Sequence, residues 1–283
     1  MNNLISLHNV GKKYANRYIL QEVTIDVNSG DSIVFTGHNG TGKSTLLNIV
    51  GNLVKSDTGT IRYMPNIRIS YVPEHFPKMN ISASAYVENM AQIQGLTQVE
   101  AKRKSTELFE AFYMSNMIQT PIKYLSKGTL QKVAVIQALL VKSDVLLLDE
   151  PLSGQDSDSQ RYFIQYVKQL NKEGTAIVMS CHEKWLMNTL SKTVYEIEDK
   201  TLVKRNDISE RSLEYVLMSF DKGERLEIGD VGSSVKIEEL VLKIEKQEQL
   251  VEIYAKRENS KMIVLKMMEA GYELRRMTDE RMD

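Results

Sequence analysis

The alternation of apolar and polar residues divides the chain into short strands and amphipathic helices. Residues 4–7 are mostly apolar and predict a first strand, and residues 11–14 predict the turn after it. Val23, Ile25 and Val27 alternate with polar residues, which is typical of a strand in an antiparallel layer with one solvated face. Continuous apolar runs predict buried strands of a parallel sheet: 33–35, 145–148 and 176–181.

Helical periodicity replaces this pattern in the middle of the chain. Thr97 with Glu100 forms a capping box that predicts the start of a helix. Together with a helical stretch before it, this predicts an all-helical insert at about residues 80–124. Ser157 with Gln160 predicts a second capping box, at the start of a later amphipathic helix.

The pattern changes once more near residue 206, which predicts two domains, 1–206 and 207–283. The predicted elements of the second domain are strands at 213–220, 251–255 and 274–277, with a helix that Asn259 or Ser260 caps and that runs to 268. Residues 235–246 fit either a helix or strands. The second domain is therefore predicted to be a small α/β appendage.

Composition excludes several classes of protein. The 283 residues carry 36 Lys and Arg against 37 Asp and Glu, so no nucleic-acid partner is expected. A single cysteine excludes an internal disulfide and favours a reducing compartment. The start lacks the features of a signal peptide, and no apolar run is long enough to span a bilayer. We therefore expect a soluble chain whose membrane work, if any, belongs to another polypeptide.

The strongest chemical signal is a glycine-rich turn with the spacing G-x-x-x-x-G-K-S between a predicted strand and a predicted helix. Its residues are Gly37, His38, Asn39, Gly40, Thr41, Gly42, Lys43, Ser44 and Thr45. The glycines let successive N–H groups turn towards one phosphate, and the start of the helix adds its free N–H groups. Lys43 brings a charge to the β- and γ-phosphates, and Ser44 offers a hydroxyl to Mg²⁺. A plain glycine-rich turn explains the glycines but not the Lys-Ser pair.

A second signal is the pair Asp149-Glu150 at the end of a predicted buried strand. The carboxyl end of a parallel strand is where such sheets place their ligands, so Asp149 is a candidate ligand of Mg²⁺. Glu150 is a candidate base that deprotonates a water for attack on the γ-phosphate. The competing reading, two solvated carboxylates at a strand end, is weaker because a phosphate loop lies upstream.

Two further segments complete a specific order. The segment 125–129 (LSKGT), here called the signature segment, precedes the Asp149-Glu150 strand, and His182 follows the next strand. In this order the chain resembles the ATP-binding subunit of ABC transporters over about residues 4–205. The resemblance implies an α/β fold of the P-loop NTPase type. Its parallel sheet would carry an antiparallel β layer and a helical subdomain, here followed by the C-terminal appendage.

The resemblance implies roles for residues outside the phosphate loop. Tyr14 would stack on adenine, and the alternative is that this tyrosine packs on the sheet. His182 would contact the γ-phosphate and join Lys43 and Glu150 as a catalytic residue. Ser126 and Gly128 would face the nucleotide of a second subunit. Glu74 would contact Mg²⁺ or water beside the other candidate metal ligands, Ser44 and Asp149.

Three positions depart from the commonest pattern of the family. The signature segment usually reads LSGGQ, and Lys127 here brings a charge to it. Glu74 stands where glutamine is usual, and Gln155 stands where leucine is usual. The first two departures are similar to bacterial exporters of the ABC-2 type.

The resemblance implies an ATPase that powers export through a separate transmembrane permease subunit, at the cytoplasmic face of the cell membrane. Because the chain has one phosphate loop and one signature segment, it would pair with a second copy or a related ATPase subunit. ATP and Mg²⁺ are the expected cofactors. The alternative is a soluble ABC-type ATPase that acts as an assembly or regulatory factor. A binding module with a decayed ATPase is disfavoured by the intact Lys43, Asp149, Glu150 and His182.

Overall fold

The structure is a computed structural model that describes residues 2–182, 184–205, 215–222, 237, 240–246 and 250–280. The chain divides into two compact units, Met1–Asn206 and Asp207–Asp283. Within the described residues, every helix is too short or too polar to cross a bilayer.

The first unit contains nine described strands and six described α-helices. The strands are β1 (Asn3–Tyr14), β2 (Arg17–Asn28), β3 (Ser32–Thr36), β4 (Thr58–Tyr63), β5 (Ile69–Val72), β6 (Val145–Asp149), β7 (Ala176–Ser180), β8 (Thr193–Glu198) and β9 (Thr201–Arg205). The helices are α1 (Lys43–Val50), α2 (Ala83–Ile93), α3 (Gln98–Ala111), α4 (Lys127–Leu139), α5 (Ser157–Lys172) and α6 (Lys184–Leu190). Short 3-10 helices cover Ser115–Met117 and Ile122–Tyr124.

A six-stranded sheet forms the centre of this unit, in the order β5-β6-β7-β3-β8-β9. Its first five strands in this order are parallel, and β9 pairs antiparallel with β8. The strands β6 and β7 are buried along their whole length, as their continuous apolar sequences predict. The carboxyl ends of the parallel strands therefore meet at one edge of the sheet, where a ligand site is expected.

A smaller antiparallel sheet, in the order β2-β1-β4, forms a second layer. The predicted alternation in β2 is confirmed, because Val23, Ile25 and Val27 are buried and the residues between them are exposed. The predicted turn at residues 11–14 is wrong, since these residues continue β1. The chain reverses at Ala15 and Asn16, whose φ values of 46° and 61° are those of a tight hairpin turn.

Capping explains the helix starts in and after the insert. Thr97 and Glu100 form the predicted capping box at the start of α3. The predicted box of Ser157 with Gln160 is wrong, because Asp156 is the N-cap of α5. Its Oδ1 accepts a hydrogen bond of 3.0 Å from the Ser159 N–H. A carboxylate one residue earlier satisfies the same orphan donors, so the helix begins at that point.

The second unit contains a four-stranded antiparallel sheet and one described helix. Its elements are β10 (Tyr215–Lys222), β11 (Val241–Lys246), β12 (Leu250–Lys256), α7 (Arg257–Glu269) and β13 (Tyr272–Glu280), with the sheet order β11-β12-β10-β13. The predicted strands and helix are confirmed, and the ambiguous segment is a strand from Val241 onward. The predicted cap at Asn259 or Ser260 is wrong, because β12 passes directly into the helix, which already begins at Arg257. Residues 213, 214, 235, 236, 238 and 239 of the predicted elements lie outside the described residues. The buried side chains of β10 and β12 pack with Ile263 and Met267 of α7.

Candidate active site

The phosphate loop joins β3 to α1, at the carboxyl edge of the parallel sheet. Gly37, Gly40 and Gly42 have φ values of 139°, 81° and 108°, which side chains with a Cβ rarely adopt. Gly42 is the N-cap of α1 and approaches β2 closely, because a Cβ there would lie 2.9 Å from the Cγ2 of Ile19. Glycine is therefore required for the path of the loop towards the start of α1.

Lys43 is the first residue of α1 and is only 8% exposed. Its Nζ donates hydrogen bonds to the carbonyl oxygens of Gly37, at 2.8 Å, and His38, at 3.0 Å. Burial lowers the pKa of Lys43, while the charges of Glu150 and Asp149 oppose this shift and favour the ammonium form. The loop thus holds its cation beside two carboxylates.

Asp149 ends β6 and is 3% exposed. Its Oδ1 accepts hydrogen bonds from the hydroxyls of Ser44, at 3.2 Å, and Ser180. Its Oδ2 accepts a bond of 3.3 Å from the hydroxyl of Tyr71. Burial, followed by the charge of Asp149, raises the pKa of Tyr71, so this phenol stays a donor. Three neighbouring elements therefore fix the Asp149 carboxylate.

Glu150 follows Asp149 with a φ of 46°, in the left-handed region. Its N–H donates to the carbonyl of Ser180 at 3.2 Å. Its Oε1 lies 3.3 Å from the Nε2 of His182, a side chain that is 47% exposed. The structure thus brings together the two residues that were predicted to act at the γ-phosphate.

These groups face one open cleft of about 600 Å³, within the range of small-molecule sites. The residues that line it are Tyr14, Ile19, Asn39, Gly40, Gly42, Lys43, Ser44, Thr45, Glu74, Asp149, Glu150, Ser153 and His182. Its oxygen donors, a hydroxyl and carboxylates, are of the kind that Mg²⁺ prefers. The described residues contain no group of three His, Cys, Asp or Glu side chains that alone could hold a metal.

Comparison with known proteins shows which family the first unit resembles. Residues 20–153 match the family model described as ABC transporter. The N-terminal unit is therefore similar to the ATP-binding domains of ABC transporters. The zinc import ATP-binding protein ZnuC of Pseudomonas fluorescens is 29% identical over 195 residues, 68% of this chain and 73% of its own length. ZnuC of Hydrogenovibrio crunogenus is 28% identical over 188 residues, 64% of this chain and 73% of its own length.

Solved structures show the same fold as the first unit. The ATP-binding subunit of an ABC transporter matches with a TM-score of 0.66 and 21% identity, over 71% of this chain and 89% of its own. The ATP-binding cassette MJ0796, in a dimeric structure bound to ADP and Pi, matches with a TM-score of 0.65 and 24% identity, over 71% of this chain and 98% of its own. The predicted fold class is confirmed.

Several predicted residues of the first unit lie outside the lining of this cleft. Gly37, His38 and Thr41 belong to the phosphate loop but are not among the residues that line the cleft. Ser126 is the N-cap of α4, where its Oγ accepts a bond of 3.3 Å from the Thr129 N–H. Gly128 packs against the loop after Glu150, because a Cβ there would overlap the carbonyl oxygen of Gly154. The roles predicted for Ser126 and Gly128 stay predictions.

The sequence reasoning missed three residues at the site: Ile19, Tyr71 and Ser180. Ser180 had a usable signal, since it ends the apolar run of β7 and lies opposite Asp149 in the register of the sheet. Ile19 and Tyr71 resemble ordinary strand residues, and their places at the site come only from tertiary packing.

Proposed function

We propose that the chain binds ATP with Mg²⁺ in this cleft, and that hydrolysis powers transport through a separate transmembrane permease subunit. The observation that carries the proposal is the convergence of Lys43, Ser44, Asp149, Glu150 and His182 on one cleft from three separate segments of the first unit.

The positions of the side chains indicate where the two ends of the nucleotide would lie in the cleft. The phosphates lie on the N–H groups of the loop, and Lys43 exchanges its carbonyl partners for phosphate oxygens. Tyr14, which is 50% exposed at the rim, offers its ring to adenine. Ser44, Asp149 and Glu74 would hold Mg²⁺, which supplies positive charge at the β- and γ-phosphates when bound.

Glu150 is the proposed general base. Its carboxylate lies within the cleft and accepts the proton of the attacking water, while His182 contacts the γ-phosphate from the neighbouring segment. The 3.3 Å distance between Glu150 Oε1 and His182 Nε2 lets the two side chains act on the same reacting centre.

A second copy, or a related subunit, would complete the site. Ser126 is exposed and outside the cleft of its own chain, so its hydroxyl is available to a nucleotide held elsewhere. The solved structure of the similar protein MJ0796 is dimeric. We infer that the signature segment of one copy closes over the nucleotide of the other, giving two ATP sites at the interface.

The proposed location is peripheral, at the cytoplasmic face of the cell membrane, through the permease. The proposed direction is export, because Lys127 and Glu74 are similar to the ABC-2 exporters. Two relatives are named for zinc import, so zinc is the informative cargo to test. In inside-out vesicles that contain the co-purified complex, ATP-driven release of Zn²⁺ from the lumen would contradict export.

Glu150→Gln is the test of the site. The amide is nearly isosteric and cannot accept a proton, so ATP hydrolysis should fall at least about 100-fold while ATP binding persists. With hydrolysis blocked, the variant should form a dimer with ATP but not with ADP. Turnover assays and size-exclusion chromatography with light scattering measure both effects.

The matched control is Glu110→Gln, which changes an exposed glutamate of α3 in the same way. This control should hydrolyse ATP at the wild-type rate. Full turnover in Glu150→Gln would contradict the assignment of the base. If the variant is monomeric with ATP, even within the purified complex, the inferred pairing of two ATPase subunits is wrong.

A further inference from the structure

The loop that follows Glu150 is closed by its own hydrogen bonds. The Ser153 N–H donates to the Glu150 carbonyl at 3.3 Å, and the Gln155 N–H donates to the Leu152 carbonyl at 3.2 Å. The side chain of Gln155 turns back over the same loop, where its Nε2 donates to the carbonyl of Pro151 at 2.8 Å. Ser153, inside this loop, lines the cleft.

The buried side chain of Gln155 carries a cost in the stability of the folded chain. It is only 8% exposed, and no described residue donates to its Oε1. A buried amide oxygen without a donor lowers stability, whereas a leucine at this position would bring no polar atom. The amide nitrogen makes the hydrogen bond that offsets part of this cost, and this bond goes to the residue directly after Glu150.

Glu150 needs such support because its backbone is strained. Its φ of 46° is unfavourable for a side chain with a Cβ and persists only where the surroundings hold it. On one side, the Glu150 N–H is held by the carbonyl of Ser180. On the other side, the bond from Gln155 fixes the Pro151 carbonyl, which is part of the next peptide unit.

The far end of the loop is anchored to helices. Lys132 of α4 lies 2.5 Å from Asp156 Oδ2 and also donates to the carbonyl of Phe112 at 3.0 Å. Gln160 donates its Nε2 to the carbonyl of Gln155 at 3.1 Å. These contacts hold the backbone at Gln155 in place. Its side-chain amide can therefore hold the Pro151 carbonyl in place as well.

We propose that Gln155 is a positioning residue for Glu150: its side-chain amide holds the 151–155 loop so that the Glu150 carboxylate stays aimed into the cleft. This inference rests on the proposed function, in which Glu150 is the base. Gln155 itself is not among the residues that line the cleft.

Gln155→Met is the test. Methionine has nearly the same length and volume but no donor. Amide hydrogen exchange in the peptide around residues 150–155 should become faster. The kcat for ATP hydrolysis should fall at least about tenfold, because small displacements of a reacting group are costly. The KM for ATP should stay within about twofold, since the phosphate loop is untouched. The melting temperature should change by less than about 4 °C, since one unpartnered carbonyl replaces one unpartnered amide oxygen.

Gln169→Met is the matched control. Gln169 also donates a hydrogen bond from its Nε2, to Glu173 Oε1 at 3.0 Å, but it lies in α5 and outside the cleft lining. This variant should keep the wild-type kcat and the wild-type exchange at residues 150–155.

Each outcome decides one of the two proposals. Unchanged exchange at residues 150–155 in Gln155→Met overturns the inference, as does faster exchange with an unchanged kcat. The failure of the proposed base has a different signature: Glu150→Gln would then keep full turnover. In that case the exchange data still decide whether Gln155 holds the loop.

Discussion

Among the described residues that line the cleft, Lys43 is the one side chain with a fixed positive charge. Its Nζ is already desolvated and bonded to two loop carbonyls, so it meets a phosphate without first leaving bulk water. The loop is therefore arranged for an anion before the anion arrives.

Lys43→Ala should lower the affinity for ATP at least about 100-fold, because hydrogen bonds to charged groups are worth about 1.5–3 kcal/mol each. Titration with a fluorescent ATP analogue measures the affinity, and circular dichroism checks the fold. Lys168→Ala, which removes an exposed lysine of α5, should bind like the wild type. An unchanged affinity in Lys43→Ala would refute the phosphate loop as the binding element.

At the scale of elements, the ion pair between Lys132 and Asp156 joins α4 to the start of α5. Burial opposes the charged carboxylate, but hydrogen bonds from Lys132 and Ser159 outweigh it and lower the pKa of Asp156 to about 2. A group with a lowered pKa stabilises the folded chain above the pKa of the unfolded state, near 3.8. This stability is lost as the pH falls towards 2.

Asp156→Asn tests this coupling. Asparagine keeps the N-cap but loses the charge, so the variant should melt about 2–4 °C below the wild type at pH 7, as expected for a partly exposed pair worth about 1 kcal/mol. The gap should narrow as the pH falls below about 4. Thermal melts from pH 7 to pH 3 measure it, and a gap that is constant over this range would contradict the lowered pKa.

The elements of the fold that could be predicted from the sequence are those that local residue patterns encode. Continuous apolar runs located β6 and β7, and the Thr97 box located the start of α3. The prediction of the Ser157 capping box was wrong because Asp156, one residue earlier, is also able to cap the helix. In the structure Asp156 is the N-cap, and it is also bonded to Lys132, which is distant in the sequence. The turn predicted at residues 11–14 failed for a similar reason, since pairing with β2 extends β1 to Tyr14.

The candidate site likewise contains residues that could be predicted from the sequence and contacts that could not. The phosphate loop, Asp149, Glu150 and His182 were found because each lies in a contiguous motif or at the end of a predicted strand. The contacts of Tyr71 with Asp149, of Gly128 with Gly154 and of Gln155 with Pro151 depend on the folded path of the chain. No pattern of neighbours in the sequence encodes them.

At the scale of the whole molecule, every residue of the cleft belongs to the first unit, Met1–Asn206. A chain of residues 1–206 should therefore fold and bind ATP with the affinity of the full chain, within about threefold, because each unit has its own core. Titration of the truncated chain with the fluorescent analogue measures this. Loss of nucleotide binding in a folded truncation would show that the second unit contributes to the site.

Cys181, which follows β7, is the one cysteine of the chain, and its side chain is fully buried. In terms of chemical labelling, the folded surface carries no native thiol that competes for a reagent. A cysteine introduced in place of Lys127, at the exposed start of α4, would be the single accessible point of attachment. A fluorophore there would report directly, by self-quenching or energy transfer, when two signature segments approach or separate during a cycle of hydrolysis.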